Sequence, residues 1–174
     1  MKQWVSPIPK KFHFIWIGGD QPDYFKKFLR TFREKCPEFE IKIWGNKNLN
    51  KKYFPITYPY IKKIKKMQDK TIYEWTGAPT MYKTDDTPYT YSKWAQITDL
   101  MRLEIVFREG GFYFDTTFEC LKPLYDLLNK NKKFIGCNQI PRFKNVDILS
   151  NSFFGATKGN VILKRLLSKK RLDT

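Results

Sequence analysis

The stretch that most constrains the fold runs from Lys93 to Asp115 and reads KWAQITDLMRLEIVFREGGFYFD. Its apolar residues recur at helical spacing as far as Glu109, and the pair Gly110-Gly111 then ends the predicted helix. Three consecutive aromatic residues follow and predict a buried strand, at the end of which stands the aspartate. A helix that leads through a glycine turn into an apolar strand is typical of an α/β sheet.

The first part of the chain carries the same alternation of strand and helix. An apolar run from Phe12 to Ile17 predicts a buried strand that ends in a glycine turn. An amphipathic pattern then begins at Asp23 and stops before Pro37, which predicts a helix. Residues 39–44 alternate between apolar and polar and predict a second strand. This β-α-β order predicts that a parallel α/β sheet opens the domain.

The remaining segments are less regular. Residues 47–92 mix lysines, tyrosines and prolines, and we predict a variable, partly irregular insert there, with a short helix near Tyr60 to Gln68. Further on, the pattern predicts a short helix from Pro123 to Leu128, a strand from Phe134 to Cys137, a strand or loop over 148–156 and a last helix from Gly159. No internal repeat occurs, so residues 1–174 are predicted to form a single domain.

Charge indicates the kind of partner. The chain has 33 Lys and Arg against 17 Asp and Glu, a formal net charge of +16. Nucleic acid, an anionic membrane, phosphorylated ligands and acidic glycans would all be attracted to such a surface. The alternative is a solvated lysine-rich surface with no partner. Lysines interleaved with aromatic residues also occur in single-strand nucleic-acid binding, although no RNA-binding motif is present.

Cysteine use and hydropathy bear on the compartment. The three cysteines, Cys36, Cys120 and Cys137, form no CxxC or Cys/His cluster, which excludes a zinc-ribbon pattern and favours reduced thiols. The first residues lack the apolar run of a signal peptide, and no apolar stretch approaches the roughly 20 residues of a membrane span. We therefore expect a cytoplasmic or cytosol-facing protein, with peripheral membrane contact as an option.

Polar residues inside the long predicted helix share one face. Ala95, Asp99 and Arg102 lie at positions i, i+4 and i+7, and the aspartate and arginine can pair across one turn. An ordinary ion pair on a solvated face is the alternative interpretation. The strongly apolar neighbours favour a buried pair instead, and buried pairs cost desolvation free energy and are often kept for function.

Asp115 is predicted to lie at the carboxyl edge of the sheet, where ligands of open α/β folds bind. The end of the first strand, with Trp16 and Gly18, should lie on the same edge. In an extended segment Asp115, Thr117 and Glu119 would point to one side. Two carboxylates and a hydroxyl could hold a hard divalent cation that bridges a diphosphate, which predicts a metal site there.

Three blocks of sequence carry a family resemblance: Ile8 to Gly19 (IPKKFHFIWIGG), Ala95 to Leu124 (AQITDLMRLEIVFREGGFYFDTTFECLKPL) and Ser150 to Leu163 (SNSFFGATKGNVIL). In this order they resemble glycosyltransferase family 32 and its relatives, which include yeast-type initiating mannosyltransferases, bacterial capsular-polysaccharide transferases and the catalytic domains of clostridial glucosylating toxins. The resemblance implies a GT-A-type, Rossmann-like sheet with flanking helices, a nucleotide-sugar donor, and manganese or magnesium.

The resemblance also implies roles for single residues. Asp99, Arg102 and Asp115 would be the catalytic residues, and Trp16 would stack on the base of the donor. The full set of donor-binding positions implied is Trp16, Ile17, Gly18, Ala95, Asp99, Arg102, Tyr113, Asp115, Asn151 and Ser152. Alternatives remain open: Tyr113 could equally be a core residue of its strand, and Asn151-Ser152 could equally be a turn. His13 is expected to be a strand residue that fixes the first turn.

The chain departs from the family pattern at one acid. The usual DTD run is DTT here, so Thr117 replaces a metal ligand, and metal affinity should fall unless Glu119 or the donor phosphates compensate. Family members also tend to continue with a His or Ser-Trp element that closes over the donor. None occurs before Thr174, so a truncated or minimal domain is expected.

The favoured hypothesis is hexose transfer from a UDP-sugar, or a GDP-sugar, to a hydroxyl of a glycan, protein or lipid-linked acceptor, with retention of configuration. Polysaccharide biosynthesis is the corresponding process. The second hypothesis is a nucleotide-sugar-binding protein whose catalysis is weakened by Thr117. A polyanion or nucleic-acid-binding module ranks last, because it leaves the acids and the arginine unexplained.

Overall fold

The computed structural model describes residues 7–67, 70–72, 89–128, 132–138 and 149–168. Its elements in chain order are β1 (Lys11–Ile15), α1 (Asp23–Lys35), β2 (Glu40–Trp44), α2 (Tyr58–Lys65), β3 (Lys70–Ile72), β4 (Tyr89–Tyr91), α3 (Lys93–Glu109), β5 (Gly111–Phe114), β6 (Phe134–Asn138), β7 (Leu149–Ala156) and α4 (Val161–Leu166), with 3₁₀ turns at Asn46–Asn48 and Tyr125–Leu128.

The central sheet has five strands in the order β2-β1-β5-β7-β6. Strands β2, β1 and β5 are parallel, as the β-α-β pattern predicts. Strand β7 runs antiparallel to both β5 and β6, so the second half of the sheet is mixed. The predicted α/β class is therefore confirmed. Within this sheet only β2, β1 and β5 are parallel to one another.

Side chains of β1 alternate between two apolar clusters on opposite faces of the sheet. Phe12 and Phe14 pack in the cluster that contains Phe25 of α1. Ile15 belongs to the second cluster, which contains Met101 of α3 together with residues of α2 and α4. Because alternate residues of a strand point to opposite faces, α1 covers one face and α2, α3 and α4 cover the other.

The turn from α3 into β5 is held by the chain's one histidine. Gly110 has φ +68° there, and a Cβ atom would lie 2.8 Å from Pro9, so glycine is needed for both reasons. His13 Nε2 donates to the Gly110 carbonyl at 2.8 Å, while its Nδ1 accepts from Trp44 Nε1 at 3.3 Å. Burial lowers the pKa of His13 to about 4, so the ring is neutral. His13 thus fixes this turn and not the turn after β1.

Helix α2 is attached to α3 by a buried carboxylate. Glu104 accepts hydrogen bonds from the backbone N–H groups of Ile56 and Thr57 at 2.9 and 2.8 Å, and from the Thr57 hydroxyl at 2.6 Å. Thr57 is the N-cap residue of α2, so the acid binds the backbone N–H groups immediately before the helix and fixes its start. The predicted short helix near Tyr60 to Gln68 is confirmed, but it begins and ends earlier.

Three further predictions have clear outcomes. Of the segment 148–156, the described part Leu149–Ala156 is a strand, β7, which pairs with a neighbour on each side. The last helix begins at Val161 with Asn160 as its N-cap. Instead of a helix from Pro123, a 3₁₀ turn spans Tyr125–Leu128. Most of the predicted insert after Met67 lies outside the described residues. No helix in the part of the chain described has the length and apolar character needed to cross a membrane.

Candidate active site

A pocket of about 180 Å³ opens where β1 and β5 end and α3 begins. It therefore lies at the carboxyl edge of the parallel strands, as predicted. The residues that line it are Ile15, Trp16, Ile17, Trp94, Ala95, Thr98, Arg102, Tyr113, Asp115 and Thr116. The structure thus brings most of the predicted donor-binding residues to a single concave site.

Arg102 is the centre of the polar network in this pocket, although its side chain is only 7% exposed. Its Nη2 lies 3.1 Å from Asp99 Oδ1 and its Nη1 lies 3.2 Å from Asp115 Oδ1. Nη1 also donates to the carbonyl of Asn151 at 2.8 Å. Nε and Nη2 donate to the backbone carbonyl and the hydroxyl of Thr98, each at 3.3 Å. The predicted Asp99–Arg102 pair is thus confirmed and is not an ordinary solvated pair.

Asp115 follows the last residue of β5 and is half-buried. Its Oδ1 accepts a 2.6 Å hydrogen bond from the Tyr113 hydroxyl in addition to the contact with Arg102. Its backbone N–H donates to the carbonyl of Ser152 at 2.8 Å. Burial raises the pKa of Asp115 above its usual value, although Arg102 and the tyrosine hydroxyl both act to lower it.

Tyr113 has two places in the network. Its ring is buried in the sheet, and the guanidinium carbon of Arg102 lies 4.7 Å from the ring centroid, a cation–π contact. Burial raises the pKa of the Tyr113 hydroxyl well above its ordinary value. The hydroxyl therefore stays protonated and donates to Asp115 at neutral pH. Tyr113 is thus a core residue of its strand that also lines the pocket, and its contact with a donor stays a prediction.

Asn151 and Ser152 lie in strand β7, so their interpretation as a turn is wrong. The Asn151 side-chain amide donates to Asp99 Oδ1 at 2.9 Å, and its carbonyl accepts from Arg102. The antiparallel register, which pairs Phe114 with Phe153, places these residues beside the end of β5. Both residues therefore support the acids and the arginine, one through its side chain and both through their carbonyls.

The end of β1 supplies the opposite wall. Trp16 is half-buried, packs on Phe25 with ring centroids 5.9 Å apart, and donates from Nε1 to the Gly19 carbonyl at 3.0 Å. Gly18 donates its N–H to the Asn46 side chain at 3.0 Å. Gly18 has φ +94°, and a Cβ atom would lie 3.0 Å from the Trp94 indole. The glycine therefore permits both the turn and the close approach of Trp94.

The chain turns immediately after Asp115, and this overturns one step of the metal prediction. Phe118 donates its backbone N–H to the Asp115 carbonyl at 3.2 Å, which closes a turn, so residues 115, 117 and 119 are not an extended segment. Thr117 and Glu119 are exposed and do not line the pocket. Within the described residues, no group of three or more His, Cys, Asp or Glu side chains is placed to hold a metal ion.

Ile15, Trp94, Thr98 and Thr116 line the pocket and Asn46 binds Gly18, but none of the five was predicted as a site residue. Thr98 lies four residues before Arg102, and this spacing could have indicated its contact with the arginine. Trp94 and Asn46 offered no comparable signal, because their places depend on how α3 and the turn after β2 pack against Gly18.

Comparison with known proteins decides the family. The model of a glycosyltransferase sugar-binding region containing a DXD motif matches residues 22–135, which is more than half of the chain. The chain belongs to this glycosyltransferase family. The match runs from α1 to the start of β6 and includes both acids and the arginine of the pocket. It confirms the resemblance inferred from the sequence blocks.

The chain resembles two longer proteins. It is 27% identical over 161 residues to Subversion of eukaryotic traffic protein A of Legionella pneumophila, covering 92% of the present chain and 24% of that protein. The chain thus spans about a quarter of that relative. Its structure matches the PaToxG glycosyltransferase with a TM-score of 0.62 at 19% identity, covering 94% of this chain and 60% of the other. The latter match confirms the GT-A-type fold.

Proposed function

We propose that this DXD glycosyltransferase moves a hexose from a nucleotide sugar to an acceptor hydroxyl with retention of configuration. A UDP-sugar is the favoured donor and a GDP-sugar the alternative. The acceptor is a hydroxyl of a glycan, a protein or a lipid-linked molecule. The observation that carries the proposal is the buried Arg102 guanidinium, which lies between Asp99 and Asp115 in the pocket lined by Trp16.

The charges of the pocket suit a donor diphosphate. The planar guanidinium of Arg102 offers several donors in a fixed geometry that matches phosphate oxygens. In a partly buried site its positive charge is weakly screened, so it would stabilise the negative charge that develops on a departing diphosphate. Trp16 would stack on the base of the donor. Asp99, with Asn151 fixed to it, would accept hydrogen bonds from sugar hydroxyls.

Retention needs no strong enzymic base. The acceptor oxygen would form the new bond on the same face of the anomeric carbon from which the diphosphate oxygen departs, and the proton of the acceptor can pass to the departing diphosphate. The titratable residues that line the pocket agree with such a mechanism. The tyrosine stays protonated because burial raises the pKa of Tyr113, and the Asp115 carboxylate is engaged by Arg102.

Asp115 fits a divalent cation as a single protein anchor. Magnesium is commonly held by one or two carboxylates together with substrate phosphates, so the donor could supply the missing ligands. Thr117 and Glu119, exposed on the turn after Asp115, would contribute only if the turn rearranged. Manganese or magnesium bound there would supply positive charge to the diphosphate.

The decisive experiment is an assay of nucleoside diphosphate release from a panel of UDP- and GDP-sugars with manganese, run beside calorimetry of donor binding. We expect turnover with at least one donor and its loss in Arg102→Ala. The control variant is Arg108→Ala, since that exposed arginine of α3 lies outside the pocket and donates to the Tyr53 carbonyl. Absence of turnover and of donor binding for the whole panel would exclude the proposal.

The DTT run favours one second candidate, a nucleotide-sugar-binding protein with weakened catalysis. The hydroxyl of Thr117 adds no negative charge, and the residue is exposed on a turn. This candidate predicts donor binding that is insensitive to metal, and no transfer. The same calorimetry, repeated with and without manganese, separates the two candidates.

A further inference from the structure

Helix α2 carries a cluster of exposed lysines. Lys62, Lys63, Lys65 and Lys66 are all exposed and lie on or directly after the helix. Lys62, Lys63 and Lys66 point away from the buried Ile61, and Lys65, one turn after Ile61, lies at the border of the buried side. Among the described residues, none of the four forms an ion pair, whereas Lys11 and Lys42 elsewhere are paired with glutamates. We call these four residues the lysine face.

The charge of the surrounding sequence does not neutralise this face. No Asp or Glu occurs between Glu40 and Asp69, a stretch that contains several further lysines and no arginine. The lysines of α2 lie towards its carboxyl end, where positive charge interacts favourably with the negative end of the helix dipole. One or two cations would be enough for this stabilisation, so it does not account for four lysines. A local excess of four positive charges costs self-repulsion, which an anionic partner would relieve.

The lysine face is presented rigidly. The apolar side of α2 is fixed in the core through Ile61, and the start of the helix is bound by the buried Glu104 through Thr57. Because the apolar side is already covered by the protein, α2 cannot insert into a bilayer. Contact with a partner would therefore be electrostatic and would not extract the helix from the domain.

We propose that the lysine face docks the domain on a bilayer that contains anionic phospholipid. Clusters of four to eight basic residues on an amphipathic helix are typical of such binding, worth about 1 kcal/mol per lysine near the surface. Lysine is a compact point charge that suits diffuse attraction to many headgroups. Recognition of nucleic acid favours the bidentate geometry of arginine, which this stretch lacks. The inference is independent of the proposed transfer reaction and needs no nucleotide sugar.

The test is sedimentation of the full chain with vesicles of phosphatidylcholine alone, or of phosphatidylcholine with about one-third phosphatidylserine. The test variant replaces Lys62, Lys63, Lys65 and Lys66 by Gln. The control variant replaces four exposed cations of α1, on the opposite face of the sheet, by Gln: Lys27, Arg30, Arg33 and Lys35. Both variants lose four positive charges, so the net charge is matched and the position of the lost charges is tested.

We expect the wild type and the α1 variant to bind only the anionic vesicles, and the lysine-face variant to bind these vesicles up to about a thousandfold more weakly. Equal losses in both variants would show that net charge is responsible and would overturn the proposal. The proposal would also be overturned if the wild type bound no vesicles, or if it bound neutral and anionic vesicles equally. If the lysine-face variant keeps vesicle binding and loses only binding to a single-stranded oligonucleotide, the partner is nucleic acid and the proposal fails.

Circular dichroism would establish that each variant is folded. If the quadruple variant unfolds, the pair Lys62→Gln and Lys66→Gln, one turn apart, should give an intermediate loss. Replacement of all four lysines by arginine keeps the charge and should keep vesicle binding. Loss of binding in that arginine variant would overturn the electrostatic account.

Discussion

Nη1 of Arg102 lies 3.2 Å from Oδ1 of Asp115, so the arginine of α3 and the aspartate that follows β5 form a direct ion pair. The first prediction concerns this pair. Arg102→Ala should lower the rate of donor cleavage by about 10²- to 10³-fold, the range found when one group that stabilises transition-state charge is removed. The measurement is nucleoside diphosphate release, with Arg108→Ala as the control. Turnover of Arg102→Ala within about twofold of wild type would contradict the role.

Tyr113→Phe tests the hydrogen bond to Asp115. Burial already raises the pKa of Asp115, and the tyrosine hydroxyl acts to lower it. Removal of a hydrogen bond to the charged form raises the pKa further, so the acid limb of the pH–rate profile should move to higher pH. An exposed tyrosine of α1 provides the control, Tyr24→Phe. An acid limb that does not move in Tyr113→Phe would show that Asp115 does not govern it.

Thr117→Asp tests the altered DXD motif. If the turn after Asp115 rearranges when donor binds, a carboxylate at position 117 should tighten manganese binding by about tenfold or more, because charge dominates the affinity of hard cations. Calorimetric titration of manganese measures this. Thr117→Asn, similar in size but uncharged, is the matched control. Equal affinities of the Asp and Asn variants would show that the turn does not bring residue 117 to the metal.

The neighbouring glycines Gly18 and Gly19 form a natural pair for a substitution test. Gly18→Ala should cost about 1–2 kcal/mol in strain at φ +94° and also crowd the Trp94 indole. We expect a lower melting temperature and a raised KM for the donor. A Cβ atom added at Gly19 would meet no heavy atom within 4 Å, so Gly19→Ala should change neither value. Similar effects of the two variants would contradict the close approach of Trp94 to Gly18.

The single histidine predicts how stability depends on pH. Burial lowers the pKa of His13 to about 4, against 6.5 for an unperturbed ring. Between these values the unfolded chain binds a proton that the folded chain excludes, so the free energy of unfolding should fall as pH falls through this window. The full loss is ~3 kcal/mol. Glu109 contributes in a different pH range. Burial acts to raise its pKa, but hydrogen bonds from Lys42 and Lys11 outweigh burial and hold the pKa at about 2. The stabilising contribution of Glu109 is therefore lost between pH 4.5 and about 2, below most of the window in which His13 acts.

Denaturant titrations at pH 7 and pH 5 measure this slope. A His13→Gln variant should be less stable at pH 7, because it loses part of the contacts with Gly110 and Trp44, but its stability should change much less between the two pH values. An unchanged slope in His13→Gln would assign the effect to another group.

Local periodicity predicted much of the fold and part of the site. The spacing of Asp99 and Arg102 on one helix face indicated their pairing, and the glycine pair marked the end of α3. These signals are local, since they depend on residues within one or two helical turns. The carboxyl-edge rule then placed Asp115 and Trp16 in one pocket.

Long-range features could not be predicted in this way. The contact of Arg102 with Asn151 depends on β7 running antiparallel beside β5, and no local pattern encodes strand order. Glu104 looked like an ordinary helix residue, because its partners in the Ile56–Thr57 turn are far away in sequence. The extended prediction for residues 115–119 was wrong, because the Phe118 to Asp115 hydrogen bond closes a turn.

The hydrogen bonds of Arg102 determine how a ligand can bind it. Its three nitrogens already serve Thr98, Asn151 and the two acids. A ligand that binds this guanidinium must therefore replace one of its existing hydrogen bonds. The ligand has to bind Arg102 more strongly than the carboxylate or carbonyl that it displaces. A neutral hydroxyl forms a weaker hydrogen bond with the guanidinium than a carboxylate does and would compete poorly. A diphosphate carries several negative charges and would compete well. If the proposed function holds, the site would select its donor by the charge of the diphosphate as well as by contacts with the base and the sugar.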